Sequence, residues 1–409
     1  MNSIPFRLTF VVLLGLRLLP AAYGQIDPEK RQLIQLGYNQ PLEGRGPIAG
    51  YAFYYLNKPN FYSTNVTLRL AVAPVYLDSE FGFSGALGPH TDLAVGLAGG
   101  GFADTFSEVR AGNYLKKESF TGHGAELSTS VYHLFNPTQQ IPLYAVLRGA
   151  VHYSTYQRDS DTDNAFTLPD DRVTYLVRAG LRWGGREPLM LPPLAMELSA
   201  WYEGQFRADS GSYGYSADRR VEPQSHLFWG RALLAYTLPE WKHYFSVTLT
   251  AGTSANADRF SAYRLGSVLP LASEFPLNVP GYYFQEITAR RFVLLGGQYS
   301  IPLDDAARWN LNGFASAALV DYLPGMEQPG HWNSGVGGGL AYQSPRNTFQ
   351  ISAGYAYGID AIRSGGRGAH SLGLLCQFDL EARQRTRGAP QIPESPYKSL
   401  GLFRIFGGL

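Results

Sequence analysis

Tyr263-Arg264-Leu265-Gly266, a long segment through Val279-Pro280-Gly281-Tyr282-Tyr283, and then Arg290-Arg291-Phe292-Val293-Leu294-Leu295-Gly296-Gly297-Gln298-Tyr299-Ser300-Ile301-Pro302-Leu303 read as a β-hairpin carrying an oversized loop. From there to near the C-terminus the chain runs as two-faced strands. Such strands suit a membrane barrel, where lipid-facing and lumen-facing side chains take turns.

Upstream segments alternate in the same way. Ala145, Leu147, Val151 and Tyr153 would face lipid while Arg148 and His152 face the lumen. Val173, Tyr175, Val177, Ala179, Leu181 and Trp183 oppose Thr174, Arg178 and Arg182. Leu194, Met196, Leu198, Ala200 and Tyr202 oppose Glu197, Ser199 and Glu203. Phe245, Val247, Leu249 and Ala251 oppose Ser246, Thr248 and Thr250, and Phe349, Ile351, Ala353, Tyr355 and Tyr357 oppose Gln350, Ser352 and Gly354. Charges fall on one face each time, so Arg148, His152, Arg178, Arg182 and Glu197 read as a lumen network. A soluble sandwich also alternates, but its strands are typically about 5 or 6 residues long, whereas these exceed roughly 10.

Strands are expected near 50–57, 64–76, 90–102, 122–135, 141–157, 171–184, 191–208, 225–238, 242–254, 288–302, 307–321, 331–343, 347–358 and 370–381. The fold class is therefore all-β, an antiparallel transmembrane β-barrel of 14 strands. Sixteen is the alternative, because Asp78-Ser79-Glu80-Phe81-Gly82-Phe83-Ser84-Gly85 could hide additional strands. From the fourth strand onward short connections (Asn136–Gln140, Gly185–Met190, Pro239–Trp241, Leu303–Ala306, Ser344–Arg346) alternate with longer ones (Arg158–Asp170, Asp209–Gln224, Ala255–Ile287, Tyr322–Gly330, Ile359–Ala369). That rhythm is the one outer-membrane barrels show, with short periplasmic turns and long external loops.

Composition agrees. The chain of 409 residues is 45% hydrophobic and 14% aromatic, with 46 Gly and 27 Tyr, and its apolar residues are spread in alternation. Residues 1–24 have the parts of a secretory signal: Arg7, an apolar run from Leu8 to Leu19, then Pro20-Ala21-Ala22-Tyr23-Gly24. That run falls short of the ~20 residues a membrane helix needs. The organisation expected is a signal peptide at 1–24, a short periplasmic segment at 25–49, a barrel at 50–381 and a periplasmic tail at 382–409. A formal net charge of +1 gives no electrostatic case for nucleic acid, and the single Cys376 excludes an intrachain disulfide.

From about Phe260 to Leu380 the chain resembles the superfamily of outer-membrane protein insertases and two-partner-secretion translocators that includes BamA and TamA, a surface-antigen type of barrel. Tyr299, Pro302 and Leu303 match the family's Tyr-x-x-Pro-Leu strand ending. Gly335-Val336-Gly337-Gly338-Gly339-Leu340 with Ser344-Pro345 resembles its Gly-rich strand and Ser-Pro turn. The resemblance implies that the long loop folds into the lumen and that five strands follow it. It also implies a loop-tip Arg paired with an Asp on an inner strand. Here the tip is Val279, Pro280, Gly281 and Tyr282, and the facing strand carries Phe314, Ser316 and Ala318, so Pro280 and Ser316 stand where the ion pair would be. Loss of one partner alone would strand a buried charge at about 3–5 kcal/mol, so losing both is a coherent replacement. The segment before the first expected strand leaves no room for the family's polypeptide-transport-associated domains.

Few residues suggest chemistry. Arg158-Asp159-Ser160-Asp161-Thr162-Asp163 with Asp170 in the twelfth slot resembles a calcium loop, but Asn164 replaces its glycine and Pro169 stiffens its exit, so a solvated external loop is the expectation. The eight His residues show no metal-ligand spacing, and no Gly-x-Ser-x-Gly elbow occurs. Gly96–Gly101 and Gly335–Gly339 lie in strands and suit close packing or a bend better than a phosphate loop. Cys376 should face lipid. In the tail, Leu402, Phe403, Ile405 and Phe406 belong to a disordered extension, or else plug the barrel or dock a partner. No catalytic residue, cofactor or metal is expected. The leading function is assistance of protein or lipid insertion or passage at the outer membrane. Its partners would be membrane lipids, lipopolysaccharide and a periplasmic protein. A passive porin-like barrel and a lipid-modifying enzyme are the alternatives.

Overall fold

The structure, a computed structural model, describes residues 30–383 apart from 140, 185–193, 239, 268–274 and 365. The segment expected to be a signal peptide and the tail beyond 383 lie outside the described residues. Sixteen antiparallel strands form a closed barrel. They are β1 (Arg31–Pro41), β2 (Ala49–Lys58), β3 (Val66–Ala73), β4 (Tyr76–Gly88), β5 (Thr91–Gly100), β6 (Thr121–Leu134), β7 (Leu143–Gln157) and β8 (Arg172–Gly184). The second half comprises β9 (Leu194–Arg207), β10 (Gln224–Thr237), β11 (Tyr244–Ala255), β12 (Ile287–Pro302), β13 (Trp309–Tyr322), β14 (Trp332–Gln343), β15 (Phe349–Arg363) and β16 (Gly366–Asp379). β1 pairs with β2 on one side and with β16 on the other, from Leu33↔Asp379 to Pro41↔Ser371. Closure leaves no sheet edge whose backbone groups would go unpaired in lipid. No helix among the described residues is long and apolar enough to cross a membrane.

The count of 14 is corrected to the alternative of 16, and the two added strands are β1 and β4. The barrel accordingly begins at Arg31 and not at 50. β1 does alternate, with Ile34, Leu36 and Tyr38 outward and Gln35 buried, but its Leu33-Ile34 pair blurs the period. β4 reads as a turn because Asp78, Glu80, Gly82 and Ser84 dominate it. Its Glu80 points inward and meets Arg69 of β3 at 3.5 Å. The expected external loop at 359–369 is also corrected. β15 and β16 extend through it with the pair Arg363↔Gly366, so the hairpin grows outward instead of opening.

The two faces follow the sequence period. Leu198 is 56% exposed while its neighbour Glu197 is 2% exposed, although both lie mid-strand. Outward side chains such as Leu181, Leu249, Leu295 and Leu319 form the lipid-facing surface. Cys376 falls on that same side, in register with outward Leu36.

Inside, the lumen charges pair across strands. Arg148 meets Glu126 at 2.6 Å, and His152 lies 2.8 Å from Asp104 and 3.5 Å from Glu126. Arg178 meets Glu203 at 2.7 Å. Glu197 holds two cations at once, Arg182 at 3.1 Å and Arg231 at 2.7 Å. Glu197→Gln removes the anion shared by buried Arg231 and partly buried Arg182, and a drop of about 3–5 kcal/mol in barrel stability is expected. Urea midpoints read by heat-modifiable gel mobility measure it.

Connections at one rim are short and those at the other are mostly long. At the long-loop rim, segments 101–120, 158–171 and 208–223 and the start of 256–286 pack into a dome around buried Phe106, Phe120, Phe166, Tyr213 and Val221, with Phe260 against them. Edge-to-face and tilted contacts such as Phe120–Tyr213 and Tyr213–Phe260 tie three segments together. The loop at 158–171 is thus folded into the dome, with Phe166 fully buried, and is not simply solvated.

Candidate functional site

The segment 256–286 between β11 and β12 turns back inside the barrel, and five strands, β12 to β16, follow it. Its start is pinned to β9, where Arg207 meets Asp258 at 3.0 Å with both side chains 3% exposed. Asp258 also accepts backbone N–H bonds from Phe260 and Ser261, so it shapes the turn that it anchors. Tyr263–Leu265 then pairs antiparallel with Ile287–Ala289, the hairpin legible in the sequence.

The tip rests on two neighbouring strands. Gly281 has φ +82, and a Cβ there would lie 1.9 Å from the Gly358 nitrogen of β15. A Cβ on Gly335 of β14 would lie 2.1 Å from the Pro280 carbonyl oxygen. Gly335, within the Gly-rich stretch of β14, therefore serves close approach of the loop, while Gly337 and Gly339 lie against Phe314 and the β15 backbone. Val279 and Tyr282 are fully buried among Leu265, Leu277, Ile287, Ala318 and Val320. The Tyr282 hydroxyl reaches Asn333 Oδ1 at 3.4 Å. Gly281→Val combines steric overlap with about 1–3 kcal/mol of backbone strain. The tip is then expected to undock, seen as chymotrypsin cleavage after Tyr282 or Tyr283 that the parent protein resists.

Ser316, aligned with the family's Asp position, lies beside the residue that precedes this tip. Its Oγ donates to the Asn278 carbonyl at 3.0 Å, a neutral bond in place of an ion pair. Ala318 joins the apolar cluster around the loop, and Phe314 covers Gly337 of β14.

A charge pair does hold the loop, but in another place and with reversed polarity. Glu286 at the loop's end accepts two bonds from Arg363 of β15, each 2.9 Å, with side chains 0% and 4% exposed. The guanidinium lies 3.5 Å from the Tyr283 ring centre. Glu286 also accepts the Tyr283 backbone N–H at 2.7 Å, and the Tyr283 hydroxyl donates to the Glu43 carbonyl at 3.0 Å, in the connection between β1 and β2. Nearby, Arg264 donates to the carbonyls of Gln285 and Ser107, linking the loop to the dome. Burial draws the guanidiniums of Arg264 and Arg219 down to about 10, opposed by the attraction of Glu108. Glu286, Arg363 and Arg264 escaped the sequence reading, since Glu286 and Arg363 lie 77 residues apart. Only the Tyr-Tyr-x-x-Glu run directly after the tip hinted at them.

The lumen residues Arg148, His152, Arg178, Arg182 and Glu197 do not converge on this loop as one site. They form separate small clusters along the wall, around Glu126, Glu203 and Glu197. Both nitrogens of His152 face carboxylates, so neither is free to serve a serine as general base. The calcium-like carboxylates part company as well: Asp159 accepts the Thr121 hydroxyl, Asp161 meets Lys116 at 2.8 Å, and Asp163 accepts the Tyr215 hydroxyl at 3.2 Å. No group of three or more His, Cys, Asp or Glu side chains among the described residues is arranged to hold a metal ion.

No family model and no curated protein matches the chain. Solved structures do. CdiB from Acinetobacter baumannii matches with a TM-score of 0.56 at 11% identity, over 86% of this chain and 60% of that one. In fold it is similar to the CdiB and BamA barrels. CdiB from Escherichia coli matches with a TM-score of 0.54 at 11% identity, over 89% of this chain and 69% of that one. BamA from Haemophilus ducreyi lacking POTRA domains 1–3 matches with a TM-score of 0.50 at 11% identity, over 85% of this chain and 70% of that one. At such identity the likeness is one of fold. The chain spans 60% of the length of the Acinetobacter CdiB structure.

Proposed function

We propose that this BamA- and CdiB-like barrel assists the insertion or passage of a protein or lipid at the outer membrane, with the folded-in loop governing the seam between β1 and β16. The observation that carries the reading is Tyr283. One aromatic residue stacks on Arg363 of β15 and donates to the Glu43 carbonyl beside β1, so the loop spans the two sides of the seam. Further bonds at the same rim join the two sides, since Leu42 N–H donates to the His370 carbonyl and His370 N–H donates to Glu43. Releasing the loop would remove the Tyr283 tie and leave only these direct bonds to hold the rim. In the same reading residues 1–24 direct export, the tail at 382–409 lies in the periplasm, and a periplasmic protein delivers the client.

The test is reconstitution of the full chain in liposomes with an unfolded small outer-membrane barrel as client. Faster client folding than in protein-free liposomes, measured by gel mobility, supports the proposal; equal rates overturn it. Planar-bilayer recordings separate a porin. The intact protein should be closed and a variant lacking 270–286 should conduct, whereas a permanently open intact barrel would favour passive transport.

A further inference from the structure

The outer wall carries a depression of about 810 Å³ spanning β9 to β13. Its floor is a row of adjacent cross-strand partners, Ala200↔Gly230↔Ala251, continuing into Val293↔Leu319. Large apolar side chains cover most of the lipid-facing wall, and three small residues side by side interrupt that cover. A void there would forfeit dispersion contacts, so an acyl chain fills it in a bilayer. An acyl chain alone carries no selectivity.

Selectivity comes from the row above, Phe228↔Thr253↔Arg291↔Asp321, on the long-loop side. A β-bulge between Ala289 and Arg291 shifts the register of β12 and turns two consecutive arginines outward. Asp321 is engaged by Arg290 at 2.8 Å. Arg291 is exposed, lines the depression and has no ion-pair partner among the described residues. A lone guanidinium on a lipid-facing surface is costly unless an anion meets it, and its planar fork suits a phosphate. His331 stands at the same edge with Nδ1 bonded to the Val320 carbonyl at 2.9 Å.

We infer that this depression is a binding site for a phosphorylated glycolipid of the outer leaflet, of the lipid A type, with an acyl chain on Ala200, Gly230 and Ala251 and a phosphate on Arg291. The long-loop rim places that phosphate at the external leaflet. The inference rests only on the barrel lying in an outer membrane and is independent of the seam. Binding can therefore fail while client insertion stands, or the reverse.

Native mass spectrometry of the full chain, released from micelles titrated with diphosphoryl lipid A, reads the bound fraction. The parent should retain lipid A, and Arg291→Ala should bind it about tenfold more weakly, the loss of one charge-assisted contact. Ala251→Phe should fill the floor and weaken binding similarly, while Leu311→Ala, outward at the opposite end of β13, should bind as the parent does. Heat-modifiable mobility confirms that each variant folds, and Arg291→Ala decides the matter if Ala251→Phe does not. Unchanged binding by Arg291→Ala, equal binding of dephosphorylated lipid A, or equal binding of phosphatidylglycerol would each overturn the assignment.

Discussion

Glu286→Gln is expected to destabilise the docked loop by about 3 kcal/mol or more, because it leaves the Arg363 guanidinium buried without its anion. The side chain of Arg363 is 4% exposed, so water cannot replace the carboxylate. Stacking on Tyr283 persists and offsets only about 0.5–2 kcal/mol. Arg363→Met should do comparable damage from the other side, since the fully buried Glu286 would keep a single backbone donor, Tyr283 N–H. The double variant Glu286→Gln/Arg363→Met should lie much nearer the parent than the sum of the two, because replacing both charges removes the desolvation penalty along with the attraction. Urea midpoints, together with protease cleavage within 275–286, measure all three. Strict additivity would mean that the pair does not hold the loop as a unit.

The second large effect concerns the seam. Leu36→Cys is expected to form a disulfide with the native Cys376 under mild oxidation, because the two positions are register partners across β1 and β16 and both point outward. Directly opposed residues in an antiparallel pair place their Cβ atoms about 4.5–5.5 Å apart, close to disulfide reach. Gln35→Cys is the control, since its side chain is buried on the lumen side and one residue of offset reverses the face. A mobility shift on non-reducing gels reports the cross-link, and equal cross-linking of both variants would contradict the register. If the seam must part for client insertion, the oxidised Leu36→Cys protein should lose its acceleration of client folding and regain it on reduction. Full activity with the seam cross-linked would remove the seam from the mechanism while leaving the fold intact.

These two expectations draw on different parts of what the residues reveal. The outward position of Cys376 followed from alternation alone, but its partner did not, because β1 was hidden by the Leu33-Ile34 doublet. The family pattern drew attention to Ser316, and Gly335 belonged to a stretch read as suited to close packing or a bend, but the close approach at Gly281 was not read from the sequence. Glu286 and Arg363 were not legible. A carboxylate after a loop and an arginine ending a strand are ordinary surface residues until the chain brings them together. The dome misled for a related reason: Phe166 lies in a polar, Asp-rich segment, and its burial depends on Phe120, Tyr213 and Phe260 arriving from three other segments.

Period-two alternation was enough to establish a membrane barrel and to sort most side chains onto wall or lumen. Lipid and lumen demand opposite polarity at every step, so the demand is written locally along each strand. Strand number, the closure of β1 on β16 and the identity of the loop's anchoring ion pair belong to the tertiary structure. They depend on which strands lie side by side and in what register, and those pairings join residues far apart in the chain, 77 positions for Glu286 and Arg363 and 342 for Gln35 and Gln377, whose local sequences carry no mark of each other.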